Sequence, residues 1–154
     1  MTKTKTDASQ EPEPVPAPRL RQFTGYLMKR AFNVVQEDLT RVLDQFGLRM
    51  LSFSALQVVV DHPDITQTQL AQTLDVERSN IVVVLDKLEE SGLLTRNMVP
   101  NNRRAYALRT TLAGRKLAEK AMRAVEEHEA QLFAHMTAEE LAQMRAALGR
   151  LARV

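Results

Sequence analysis

The chain has 154 residues, enough for one domain with a short tail, and its 44% hydrophobic and 26% charged residues suit a folded protein in water. It has no cysteine, which excludes disulfides, thiolate metal sites, a cysteine nucleophile and thiol redox sensing, and 5% aromatic residues without Trp argue against a large aromatic ligand box. The formal net charge is only +2, so any basic footprint for nucleic acid must be local, and no apolar run reaches the roughly 18–20 residues of a membrane span.

Residues 1–18 hold Pro12, Pro14, Pro16 and Pro18 and almost no large apolar side chain. Such a segment buries too little surface to offset its ordering entropy and is expected to be a disordered tail. It also lacks the apolar core of a secretory signal, so the cytoplasm is the expected location and no membrane partner is expected. From Leu20 the apolar positions Leu20, Phe23, Leu27, Ala31, Val34, Val35, Leu39, Val42 and Phe46 recur in steps of about three and four, predicting one amphipathic helix that ends at Gly47. Ser52 is positioned to cap a helix over Phe53–Asp61, closed by Pro63. Thr66 and Gln69 have the capping-box spacing for a short helix Gln67–Leu74, and after a turn at Asp75-Val76 a further helix runs from Arg78 to Ser91 with Gly92 behind it.

The period then changes to two. Leu93–Arg96 and Ala105–Arg109 read as short strands, joined by a polar tip that contains Pro100, Asn101 and Asn102. Thr111 caps a long helix from Leu112 to about His135, and Thr137 with Glu140 makes a second capping box before a helix carrying Leu141, Met144, Leu148 and Leu151. The fold class expected is mostly α with a small β-hairpin. It has an N-terminal helical region (19–51), a helix-turn-helix with a hairpin wing (52–110) and C-terminal helices (111–154).

A helix-turn-helix followed by a basic wing is what DNA reading requires: a helix start with small polar side chains for the major groove, and a cationic tip for the minor groove beside it. Arg78, Ser79 and Asn80 occupy the first turn of the candidate reading helix; Asn pairs with adenine, and Arg with guanine or phosphate. Val83, outward by phase, can meet a thymine methyl, and Lys87 lies further along the same helix. Arg96 at the base of the wing and Asn102, Arg103 and Arg104 at its tip complete the DNA-binding set. Each residue taken alone is equally compatible with a solvated surface; the combination is what points to DNA.

The stretch from Leu70-Ala71 through Leu74-Asp75-Val76-Glu77-Arg78-Ser79-Asn80, Leu85-Asp86-Lys87-Leu88-Glu89-Glu90-Ser91-Gly92-Leu93-Leu94-Thr95-Arg96 and Pro100-Asn101-Asn102-Arg103-Arg104-Ala105 to Leu108-Arg109-Thr110-Thr111-Leu112-Ala113-Gly114 resembles the MarR family of winged helix-turn-helix repressors. The resemblance runs over about residues 50–115. It implies a homodimer on a pseudo-palindromic DNA operator, released by a small molecule that is often an aromatic acid. Four positions depart from the family pattern. Asn102 stands where an Asp usually pairs with an Arg and stiffens the hairpin, and Val82-Val83 stand where many relatives carry polar or basic side chains. Glu77 replaces the usual Ser cap. The segment Gly25–Ala31 resembles relatives that sense hydroxycinnamates or their CoA thioesters, which adds an acyl-CoA as a possible effector class.

Leu20, Phe23 and Leu27, with Leu141, Met144, Leu148 and Leu151, are the expected dimer interface, since uncovered they would form a large apolar patch. Tyr26, Arg30 and Phe53 are the candidate ligand contacts, with Arg30 suited to a carboxylate or phosphate. His128 and His135 are roughly 10 Å apart along a helix, too far to share one ion, and no phosphate-cradling glycine loop or nucleophile motif is present. No metal, cofactor or enzymatic activity is therefore expected. The alternatives to a ligand-responsive repressor are a DNA-binding protein without an effector and a helical adaptor for other proteins.

Overall fold

A computed structural model describes residues 15–99 and 102–152, the side chains of residues 99 and 102–105 excepted. Most of the predicted tail lies outside the described residues. Among the described residues are six α-helices and a two-stranded antiparallel sheet, the mostly helical class with a hairpin that the residue pattern predicts. The chain forms two compact units, one reaching residue 35 and the other beginning at residue 36.

In the first unit a short 3-10 turn, Leu20–Gln22, precedes helix α1, Thr24–Asp44. The single helix predicted from Leu20 is thus broken at Phe23, whose backbone is extended (φ −95°, ψ 121°). Phe23 instead caps α1: its carbonyl accepts the N–H groups of Tyr26 and Leu27. The break falls before Thr24-Gly25, two poor helix formers in succession, which favour a helix boundary at that place. No described residue of this unit is buried, and Leu20, Phe23, Leu27, Phe32 and Val34 are exposed.

The second unit contains the end of α1 and helices α2 (Met50–Asp61), α3 (Gln67–Thr73), α4 (Arg78–Glu90), α5 (Leu112–Leu132) and α6 (Ala138–Ala152). Helix α2 begins earlier than Ser52 predicts: Arg49 is the N-cap and offers no side-chain bond, so Ser52 lies inside the helix. Its core-facing residues Ala55, Leu56 and Val59 are buried, and apolar packing here outweighs the local capping preference. Helices α1, α3 and α4 end in one way. The N–H groups of Leu48, Val76 and Leu93 reach back to the carbonyls of Leu43, Ala71 and Leu88, while those of Gly47, Asp75 and Gly92 reach Asp44, Gln72 and Glu89. This is the Schellman closure, which needs a positive φ at the residue after the cap. Gly47 and Gly92 supply it at 66° and 68°, and Asp75 does so at 51° without being glycine.

Strands β1 (Leu94–Val99) and β2 (Asn102–Thr110) pair in the register Leu94↔Thr110, Arg96↔Leu108 and Met98↔Tyr106, with an irregularity after Met98. Both strands extend further toward the tip than predicted. A third segment joins them: the Asp64 N–H donates to the Leu108 carbonyl, the Leu108 N–H to the Ile65 carbonyl, and Thr66 bridges Ala107. These contacts tie the wing to the start of α3. The largest buried cluster of this unit is made by Leu43, Leu48, Ala55, Val59, Leu70, Ala71, Ile81, Leu85, Leu88, Leu94, Leu108 and Ala121, and Leu56 and Ala118 are buried as well. At about 1.5–3 kcal/mol for each fully buried large aliphatic side chain, it presses α2, α4, α5 and both strands together and fixes how α4 stands to the wing.

Candidate nucleic-acid interface

Helix α3 starts in a complete capping box, with Thr66 Oγ1 accepting the Gln69 N–H and Gln69 Oε1 accepting the Thr66 N–H. The turn at Asp75 leads to Glu77, the N-cap of α4, whose carboxylate makes no cap bond to the helix backbone but accepts the Ser79 hydroxyl at 3.5 Å. On α4, Ile81, Leu85 and Leu88 are buried, so the opposite face must look outward. That face carries Arg78, Ser79, Asn80, Val83 and Lys87, all exposed, with Val83 at 55%. Ser79, Val83 and Lys87 repeat at four-residue steps and form one ridge beside Asn80.

Arg96 requires a correction. Expected to face DNA, its side chain is only 15% exposed and points onto α4. Nη1 donates to Asp86 at 2.7 Å and to Glu89 at 2.9 Å, and Nη2 reaches the Val82 carbonyl at 3.4 Å. The Glu89 carboxylate also accepts the Arg96 backbone N–H at 3.3 Å. The alternation of β1 that buries Leu94 brings Arg96 to the same face, so its charge is spent on holding the wing to the helix. Arg96 is a positioning residue. Asp86 and Glu89, absent from the sequence prediction, are its partners; their three-residue spacing on a helix was the available signal.

A second ion pair also escaped the sequence. Arg109 Nε and Nη2 both donate to the Asp64 carboxylate at 2.6 Å, joining β2 to the turn before α3. The hydrogen-bonded guanidinium holds the Asp64 carboxyl below its ordinary value and raises Arg109 above its own. Thr111 fastens the far end of the wing: its hydroxyl donates to the Gly92 carbonyl at 2.7 Å and accepts the Gly114 N–H at 3.0 Å. The side chains of Asn102, Arg103 and Arg104, the predicted tip contacts, lie outside the described residues, and so does any effect of Asn102 on wing stiffness.

The other predicted sites divide between the two units. Tyr26 and Arg30, one helical turn apart, meet through an Arg30 Nη1 to Tyr26 hydroxyl contact of 3.4 Å, with the guanidinium carbon 6.0 Å from the ring centre. Phe53 is half-buried in the second unit and packs against its core. Helix α6 opens with the Thr137–Glu140 capping box, whose bonds hold the Glu140 carboxyl below its usual value, and Arg145 pairs with Glu129 on α5 at 2.6 Å. Leu141 and Met144 are half-buried, whereas Leu148 and Leu151 are exposed. Among the described residues no helix is long and apolar enough to cross a membrane, and no group of three or more His, Cys, Asp or Glu side chains is placed to hold a metal ion.

A capped helix-turn-helix, an outward reading-helix face and a hairpin clamped beside it define a winged helix-turn-helix regulator. A family model described as the MarR family matches residues 48–106. The structure of the transcriptional repressor CouR bound to a 23-mer DNA duplex is similar with a TM-score of 0.86 and 30% identity, covering 91% of this chain and 99% of that one. CouR from Rhodococcus jostii RHA1 bound to p-coumaroyl-CoA is similar with a TM-score of 0.78 and 30% identity, covering 86% and 94%. A protein of Thauera aromatica, whose name assigns it to the hcr operon as a transcriptional regulatory protein, is 35% identical over 101 residues. The match takes in 66% of this chain and 61% of that protein, so the chain spans less than two thirds of its length. The chain belongs to the MarR family of winged helix-turn-helix transcriptional regulators. It is a DNA-binding regulator and not an enzyme.

Proposed function

We propose that this protein is a homodimeric repressor that reads a pseudo-palindromic operator and is released from it by a small aromatic acid or the CoA thioester of one. The observation that carries the DNA half is the outward ridge of α4, where Ser79, Asn80, Val83 and Lys87 stand exposed above a buried Ile81-Leu85-Leu88 face. In this reading Arg78, Ser79, Asn80 and Val83 meet base edges and Lys87 meets phosphate, while Arg103 and Arg104 follow the adjacent minor groove. Residues 52–110 form the DNA-reading part, and residues 19–51 and 111–154 the dimerising parts, in the cytoplasm.

The dimer is supported by exposed apolar side chains in both units, namely Leu20, Phe23 and Leu27 in the first and Leu148 and Leu151 in the second. A second copy would cover them and set two α4 helices about 34–36 Å apart, one turn of DNA. The effector half is supported by the p-coumaroyl-CoA bound to CouR and by the Tyr26–Arg30 pair, an aromatic face beside a cation suited to a carboxylate or phosphate. An effector releases DNA only by binding the DNA-free state more tightly, so the two affinities must be linked.

The test selects duplexes from a randomised pool with the wild-type protein and titrates the selected duplex with p-coumarate and p-coumaroyl-CoA. A repressor prefers its selected site over random DNA by about 10³-fold or more, and the effector reading requires one of the two compounds to weaken the complex. No enrichment over random DNA would refute the operator reading. Enrichment that neither compound disturbs would leave a DNA-binding protein without this effector class.

A further inference from the structure

Met98 and Tyr106 form a cross-strand pair in the outer half of the wing, and both are exposed, Met98 at 69% and Tyr106 at 39%. Two large apolar side chains facing each other on a hairpin ordinarily pack onto something. Their direction follows from the pleat. Met98 is two residues from Arg96, and Tyr106 is two residues from Leu108. Arg96 is clamped to α4 and Leu108 is fully buried, so the pair continues the inner face of the sheet, the face turned toward α4. Where the hairpin outruns the helix, that face is uncovered. Val82, whose carbonyl touches Arg96 and whose side chain is 36% exposed, borders it on the helix side.

With α4 in a major groove and the wing in the minor groove beside it, one sugar-phosphate ridge must pass between them. That ridge crosses the inner face of the outer wing. Phosphates there call for cations, but the sugars between them present C–H surface, which fits a thioether and a phenol ring. We propose that Met98 and Tyr106 form an apolar seat for the deoxyribose rings of this ridge, fixing how deeply α4 enters the major groove. The proposal rests on the DNA-reading geometry above. The occupant is DNA because the pair shares its sheet face with the Arg96 clamp, and Val82, which that clamp touches, adjoins the exposed Val83 on α4.

An apolar seat and a cationic contact differ in their response to salt. Removing a phosphate-bound cation lowers the slope of log affinity against log salt by about one, whereas removing a sugar contact lowers affinity at every salt concentration alike. With the duplex selected by the wild type as probe, Met98→Ser and Tyr106→Ser are each expected to weaken binding by roughly three- to tenfold, the size for uncovering part of an apolar side chain. The salt slope should not change, and Tyr106→Phe should bind as the wild type does. Because both side chains are exposed, the unfolding midpoint should move little. Unchanged affinity in both serine variants, a lowered slope, or a Tyr106→Phe loss equal to that of Tyr106→Ser overturns the seat. A changed oligomeric state without a changed affinity also overturns it, since the patch would then join copies. Failure of the wild type to select any duplex would instead reject the DNA reading itself.

Discussion

Arg96 on the wing and Asp86 on the reading helix meet at 2.7 Å across ten residues of chain, and Glu89 closes the same guanidinium at 2.9 Å. The wing therefore cannot swing freely against α4. Arg96→Met should lower folding stability by about 1–3 kcal/mol, the range for a charge-assisted bond whose partners are left half-buried. Arg96→Lys should recover only part of it, since one ammonium cannot span Asp86, Glu89 and the Val82 carbonyl together. Urea unfolding checks both variants, and the same loss should appear as weaker DNA binding with an unaltered salt slope.

The Asp64–Arg109 pair should give stability a visible acid limb. Its hydrogen bonds depress the folded-state pKa of Asp64 below the value of about 3.9 in the unfolded chain. A depressed carboxyl adds stability that is fully present above the unfolded value and is lost as pH falls through the folded one. The urea midpoint of Asp64→Asn should therefore lie below that of the wild type at neutral pH and converge with it in acid. High salt should shrink the neutral difference too, because both side chains are about half exposed.

Gly114 is a helical glycine where alanine should do harm. Helix propensity alone predicts a gain of about 1 kcal/mol for Gly114→Ala. A Cβ at this position, however, would collide with the Leu93 backbone carbonyl, which is held in place by the Thr111 N–H. Overpacking against fixed backbone costs about 1–3 kcal/mol, so the thermal midpoint should fall. A rise would show that α5 shifts away from Leu93 at little cost.

Asp75 performs a glycine's task at φ 51° in the turn of the helix-turn-helix. Asp75→Gly should keep or slightly raise stability, whereas Asp75→Val should cost about 1–2 kcal/mol because a β-branched side chain crowds the left-handed region. Thermal unfolding of the two variants separates backbone strain from the loss of the exposed carboxylate, which both remove equally.

Much of this molecule was legible because its signals are local. Both capping boxes, the glycines after α1 and α4 and the buried Ile81-Leu85-Leu88 stripe are written within a few residues of where they act. The break at Phe23 was missed because the apolar steps continue through it, and periodicity cannot see a boundary set by two weak helix formers. The bridge at Thr66 was missed because three residues carry no readable period. Arg96 was misread for a related reason: a cation at the base of a wing fits phosphate and carboxylate equally well from sequence.

Taken alone, the order of residues determined which segments are helices, which are strands and which helical faces turn inward, because backbone geometry and apolar spacing act over one or two turns. Only the tertiary structure decided that Arg96 serves Asp86 and Glu89, that Arg109 serves Asp64, and that Met98 and Tyr106 share an uncovered inner face. Those outcomes depend on which atoms come within about 3 Å once the core has closed, a distance that spacing along the chain does not encode.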